Sequence, residues 1–413
     1  MMKRTFCLLV TVLAVACLVA VPAAFAADKI VIGHAAALSG THAKSGEQAN
    51  AGIKAAVEWV NTSYGGVKVG GKRIPLEYKY YDMESKKETI APLLQRLVTT
   101  DKVEFLVAPY SSGLTMAGAI VAERLGIIYL DHGGASDNIF EQGYEYIVQT
   151  IGPGSSYHAG TLEMVRKIDP SAKRVALVYE DAEFSRSVAI GTREAAKKLG
   201  FDIVFDRTYP MKVTDLTPLL SDMKASNPEI ILGGGHLADG QLLTKQLAEL
   251  NINPKLVSLL AAASLTAFGE ALGDIAENVI GPSHWEYGVT FSEATAKKEG
   301  LTWIGPGQDE YVKLFKAAIG NDIDPDYHAA EATASILALV MGIEKADSLD
   351  TDKVRSALGD LTFMSFYGAW DIDDTGKQIG HSMVDVQWQG GKRKIVWPEG
   401  AQTAPPVYPK KKF

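Results

Sequence analysis

The chain has 413 residues, with 41 basic and 49 acidic side chains, a net charge of −8 and two cysteines. That length suggests two or three domains. The acidic balance, with no basic face, argues against a nucleic-acid-binding surface, and the tail YPKKKF reads as a short solvated charge run.

The first 26 residues carry the marks of export. Lys3 and Arg4 precede the apolar run CLLVTVLAVACLVAV, and Ala24-Phe25-Ala26 has the small-x-small pattern of a cleavage site before Ala27. The run, about 15 residues, is short for a membrane span, which needs about 20. The apolar residues after Cys17 argue against a lipoprotein site there. Cys7 and Cys17 both lie in this segment, so the exported chain enters an oxidising space without a disulfide and depends on its core. A bacterial periplasm fits this pattern. Without Lys3 and Arg4 the 41 basic residues fall to 39 against 49 acidic, a net of −10.

From residue 29 onward, strand-length apolar runs alternate with stretches of helical period. KIVIGHA (29–35) predicts a strand and EQANAGIKAAVEWVN (47–61) an amphipathic helix. RIPLEYKYYD (73–82) alternates as a strand, and helix, strand, helix and strand follow up to IIYLD. This βαβαβ rhythm implies a parallel sheet covered by helices. The rhythm restarts at KRVALVYE (173–180), followed by a helix ending at Gly200, a C-cap position, and continues to NVIGPSHW (278–285). Two α/β sheets in tandem are expected. Further helices follow, then short strands with turns at DDTGK and QGGK.

Few patterns carry recognisable chemistry. The eight histidines are scattered, with no HExxH and no Cys–His cluster, so no metal and no cofactor is expected. GVKVGGK (66–72) satisfies a phosphate-loop spacing, but it follows a helix, precedes a strand and is trailed by Arg73; it reads as a hairpin connection. No G-x-S-x-G elbow is present, and His132 near Ser136 reads as a structural or loop histidine. What remains is small and hydroxyl residues at strand ends. APYSSGLT (108–115), DHGGAS (131–136), YEDAEFS (179–185) and GGGHLADG (233–240) each end a strand, where open α/β sheets bind ligands. Serine hydroxyls and helix-start amides make a carboxylate or amide site; Ser111 and Ser112 read equally as simple helix caps.

Taken in order, KIVIGHAAALSGTHAKSGEQANAGIKAAVEWVN, YKYYDMESKKETIAPLLQRLV, FLVAPYSSGLTMA, GGASDNIF, RVALVYEDAEFS, DLTPLLSDMKASNPEIILGGG and FYGAWDIDDTGKQ resemble the periplasmic solute-binding proteins of ABC importers, of the leucine/isoleucine/valine-binding type. The resemblance covers 28–400. It implies two Rossmann-like lobes with parallel sheets, 27–152 plus 284–363 and 153–283 plus 364–413, joined by three crossings near 150–154, 281–285 and 362–367 that act as a hinge. It implies a periplasmic monomer that binds a small carboxylate-bearing ligand, passes it to a membrane permease and catalyses nothing. It places Ser111, Ser112, Gly134, Ala135 and Ser136 around the ligand carboxylate, Phe184 over the ligand and His236 where the family usually has a tyrosine. Tyr157, Trp285, Tyr287 and Tyr327 are pocket-wall or core residues.

The chain departs from the pattern at one position. Amino-acid binders of this type carry a glutamate near 261 to meet the ammonium, and Ala261 stands here. A buried ammonium without a partner is costly, so either Glu180, Asp181, Asp239 or Glu286 replaces that acid, or the ligand is an aromatic or branched acid lacking an amino group. A ligand-sensing receptor module of the same fold is the alternative to a transport component, and a secreted hydrolase is disfavoured.

Overall fold

A computed structural model describes residues 28–413. The export segment and both cysteines lie outside the described residues. Among the described residues no helix is long and apolar enough to cross a membrane.

Ile30–Ala36, the sequence IVIGHAA, is buried at every position, as a strand covered on both faces requires. It lies inside a five-stranded parallel sheet in the order Leu76–Asp82, Ile30–Ala36, Phe105–Val107, Tyr129–Asp131, Ile147–Gln149. The expected single strand over 73–82 is broken. Pro75 offers no N–H to a ladder, and the residues before it turn back as a hairpin, Val67–Val69 with Lys72–Ile74, over Gly70 and Gly71 at φ 58° and 73°.

The second sheet has seven strands in the order Lys392–Trp397, Val384–Gln389, Ile280–Ser283, Leu256–Leu259, Ile230–Gly234, Arg174–Glu180, Asp202–Tyr209. Its first-formed strands are parallel, and the C-terminal hairpin closes one edge antiparallel. Helix Glu183–Leu199 stops at Gly200 in the left-handed region, φ 72°. It starts four residues earlier than the SVAIG pattern suggests, which brings Phe184 into its first turn.

The molecule is thus α/β with two lobes, one around each large sheet. The chain leaves the first sheet after Gln149, enters the second at Arg174 and departs it after Ser283. Helix Tyr327–Ala346 is buried nearly all round and lies against helix Ala43–Thr62 of the first lobe. That contact is close: a Cβ on Gly52 would sit 2.1 Å from the Ala329 carbonyl oxygen. Near the expected third crossing, Phe363–Ser365 lies between Thr302–Trp303 and Gly368–Trp370 and pairs with both in a small separate sheet. Residues 376–378 still run along the first sheet, where the Gln149 N–H donates to the Gly376 carbonyl (2.8 Å). The chain reaches the second large sheet at Val384.

Candidate functional site

The parallel strands of both sheets deliver helix starts to one place. In the first lobe, Ile30–Ala36 leads to helix Ala43–Thr62 capped by His42, Leu76–Asp82 to helix Lys87–Thr99 capped by Lys86, and Phe105–Val107 to helix Ser112–Leu125 capped by Ser111. In the second lobe, Arg174–Glu180 leads to helix Glu183–Leu199 capped by Ala182, and Ile230–Gly234 to helix Leu237–Glu249 capped by His236. All five cap residues line a cavity of about 1000 Å³ between the lobes. A smaller cavity of about 540 Å³ lies alongside, against the sides of helices.

Helix N-termini present unpaired N–H groups and positive dipole ends, so five of them around one space favour an anion. Ser111 strengthens this. Its residue is 8% exposed and its hydroxyl makes no cap bond to its own helix. Lys87 Nζ lies 3.8 Å from where a Cβ on Gly113 would be, and Lys87 has no ion pair among the described residues. Lys86 is drawn instead to Glu84 (2.6 Å). The wall also has an apolar part, Met116, Ala117 and Ile120 from the first lobe and Phe184, Met211 and Val213 from the second, and a charged part that includes Lys44, Glu88, Asp181, Glu183, Arg186 and Lys212. An anionic head and an apolar body fit this division.

On the second-lobe wall, His236 is bound to two acids. Its Nδ1 lies 2.6 Å from Glu180 Oε2, and its backbone N–H donates to Asp239 Oδ1 (2.8 Å). Asp239 Oδ2 also accepts from the Tyr209 hydroxyl (2.5 Å). Burial opposes charge on His236, but the Glu180 hydrogen bond and the charges of Glu180 and Asp239 outweigh it, raising its proton affinity above the ordinary value. Burial, then the Glu180 charge, pushes Asp239 up to about 6. Across the cleft, burial and repulsion from His236 and His328 push His42 down to about 3. Glu180, His236 and Asp239 offer ligand atoms within 4.8 Å of one another, a grouping the scattered histidines did not suggest; the hydrogen bonds above already occupy it.

The other sequence candidates sit elsewhere. Ser112 and Ser136 are sealed from solvent and face each other, the Ser136 N–H donating to Ser112 Oγ (3.1 Å). Ser136 Oγ donates across the lobes to Glu183 Oε1 (3.2 Å). The glycines of DHGGAS admit the protein's own atoms. Gly134 N–H donates to Asp131 Oδ1 (2.6 Å), and a Cβ there would lie 2.8 Å from that carboxyl and from Thr115; one on Gly133 would meet the Tyr110 ring at 3.1 Å. Burial holds Asp131 up to about 8. Ala135 is 1% exposed and takes the Gly154 N–H on its carbonyl. Ala261 is buried just after strand Leu256–Leu259, off the cavity wall. Tyr287 is 56% exposed and donates to Asp309 (2.6 Å). Tyr157, Trp285 and Tyr327 are buried core residues. Ser111, Phe184 and His236 are therefore the members of the candidate set on the cavity wall.

His42, Lys86, Lys87 and Tyr110 were missed. One signal was available: two lysines at a helix start oppose the macrodipole, so the KKET stretch breaks a local rule, as functional positions often do.

A model of the periplasmic binding protein family matches residues 29–393. The chain belongs to that family. It is 26% identical over 402 residues to Leu/Ile/Val-binding protein homolog 7 of Brucella melitensis, covering 94% of this chain and 96% of that one. Among solved structures, the substrate-binding protein LivJ of Streptococcus pneumoniae, in complex with isoleucine, is similar with a TM-score of 0.74 at 21% identity, over 93% of this chain and 99% of that one. A solute-binding protein of R. palustris in complex with benzoate has a TM-score of 0.72 at 19% identity, over 92% and 97%. The two-lobed fold of this periplasmic binding protein is the one those structures share.

Proposed function

We propose that this periplasmic binding protein is the solute-binding component of an ABC importer, exported by residues 1–26, and that it captures a small carboxylate with an apolar body between its lobes. It then delivers the ligand to a membrane permease and performs no chemistry. The observation that carries this reading is the convergence of five helix starts from the two lobes, with Ser111 and Lys87, on a cavity that also has an apolar part of its wall. The relatives support transport of such solutes by their names, a Leu/Ile/Val-binding protein homolog and a benzoate complex. We take 27–152 plus 284–363 as one lobe and 153–283 plus 364–413 as the other, working as a monomer.

A branched-chain amino acid is the second reading, favoured by the isoleucine complex of a structural neighbour. The test is a thermal-shift screen of the protein after unfolding and refolding to strip carried ligand. Each apolar amino acid is paired with its counterpart lacking the amino group, such as leucine with 4-methylpentanoate. A ligand at 100 times its dissociation constant adds about 2.7 kcal/mol of stability. Stabilisation by either member of a pair supports a carboxylate site; a flat response across acids and amino acids would overturn it.

A further inference from the structure

We propose that His236 reads a second oxygen on the bound acid, so that the preferred ligands are carboxylates bearing a hydroxyl, oxo or second carboxyl group and no ammonium. This rests on the carboxylate reading above and narrows it.

The carboxylates that could meet an ammonium from the second lobe are already engaged. Glu180 holds the His236 imidazole at 2.6 Å. Asp239 accepts from the His236 N–H and the Tyr209 hydroxyl. Asp181 accepts from Arg186 Nη1 (2.6 Å). Glu183 accepts from Arg186 Nη2 (3.1 Å), Asn138 Nδ2 (3.0 Å) and Ser136 Oγ (3.2 Å). Glu286 is gripped by Arg393 through two bonds, 2.5 and 3.2 Å, and is not on the cavity wall. An ammonium would have to share each of these acids with the partner it already holds. At the position near 261 where an acid would serve, the chain has a buried alanine.

One polar atom on this wall is unused. His236 Nε2 is enclosed and has no hydrogen-bond partner among the described residues. The carboxylate 2.6 Å from Nδ1 favours the doubly protonated ring, in which Nε2 carries hydrogen and is a donor. None of the groups around it forms a hydrogen bond with it. The His42, Tyr110 and Phe184 rings lie 5.0, 5.9 and 5.9 Å away by centroid, and the acids that face the imidazole, Glu180 and Asp239, are on its other side, at Nδ1 and the backbone. A buried donor left without an acceptor costs free energy, and an acceptor on the ligand recovers it. A site built around such a donor rejects analogues that lack the matching group more strongly than an apolar pocket rejects a missing methylene.

The experiment is calorimetric titration of the ligand-stripped full chain with two skeletons. One set is 4-methylpentanoate, 2-hydroxy-4-methylpentanoate, 4-methyl-2-oxopentanoate and leucine; the other is benzoate and 4-hydroxybenzoate. The oxygen-bearing acid of at least one set should bind at least tenfold tighter than its plain parent, and leucine weaker than either. In His236→Phe the two acids should come within about threefold, with the plain acid little changed. His236→Gln, which keeps a donor, should retain part of the preference and guards against a misfolded phenylalanine variant. Leucine binding tightest, or a preference that survives His236→Phe, would overturn the assignment of His236. Wild type that binds none of the acids, plain or substituted, would instead overturn the carboxylate reading beneath it.

Discussion

Two groups of enclosed histidines in this molecule behave in opposite ways. His236, on the cleft wall, has a carboxylate oxygen 2.6 Å from Nδ1, and its proton affinity is raised. His284 and His381 lie on the second and third passages between the sheets, 5.2 Å apart by ring centroid. Tyr157, on the first passage, shares a 2.9 Å hydrogen bond with His284 Nε2, and Tyr367 stacks on His381. No carboxylate bonds either ring among the described residues. Burial, with repulsion from His381 and His328, drives His284 well below the ordinary value, and burial takes His381 down to about 3. Enclosure is common to both groups; one acid neighbour decides whether it yields a cation or a neutral ring. The cleft therefore carries a histidine whose charged form is favoured, and the passages carry histidines whose charged form is disfavoured.

The comparison can be broken most sharply at Glu180. Glu180→Gln should turn His236 into a histidine of the other kind. Affinity for the tightest acid of the panel should fall about 10–100-fold at pH 7, the ~1.5–3 kcal/mol of a charge-assisted hydrogen bond, as read by calorimetry.

Glu331 offers the converse case, an acid buried without a hydrogen-bonded partner among the described residues. Burial, with the charges of Asp326 and Asp131, raises its pKa well above the ordinary value. The folded chain therefore holds that proton to higher pH than the unfolded chain does. The penalty is absent below the unfolded value near 4.5 and grows as pH rises. Glu331→Gln should be more stable than wild type at pH 7 in urea unfolding, with the gain gone by about pH 4.

His381 runs the other way. Its folded pKa is lowered to about 3 from 6.5. The full stability is present above 6.5 and is lost as pH falls through the window between those values. His381→Gln should flatten the stability–pH curve in that window by about 1.4 kcal/mol per pH unit. Tyr287, exposed and bonded to Asp309, belongs to neither group; Tyr287→Phe should change stability by less than about 0.5 kcal/mol and leave ligand affinity unmoved.

Much of this was legible in the chain. The alternation of strand and helix periods announced two α/β sheets, and the rule that ligands sit at strand ends led to the stretches that hold Ser111, Phe184 and His236, the last two singled out by the family resemblance. What the sequence left unread shares a cause. DHGGAS reads the same whether a ligand or Asp131 and Tyr110 fill the space that its glycines leave. Ser136 reads as a free hydroxyl until topology sets Glu183 of the other lobe against it. His42 and Lys87 are remote in sequence from Ser111, and only the strand order Leu76–Asp82, Ile30–Ala36, Phe105–Val107 makes them neighbours. The partner that charges His236 is likewise 56 residues away. Residue types were visible at every point; their pairings were not.

Glu180 favours the charged form of His236, and in the proposal above that form meets an acid. This is tested most directly by a ¹⁵N NMR titration of the histidine rings, with and without the tightest acid of the panel, His236 being assigned by its loss in His236→Gln. The expected result is that His236 titrates above 6.5 in the free protein and higher still with acid bound, while His284 and His381 titrate well below 6.5. A His236 ring that is neutral at pH 6.5, or whose titration the bound acid leaves unchanged, would contradict it.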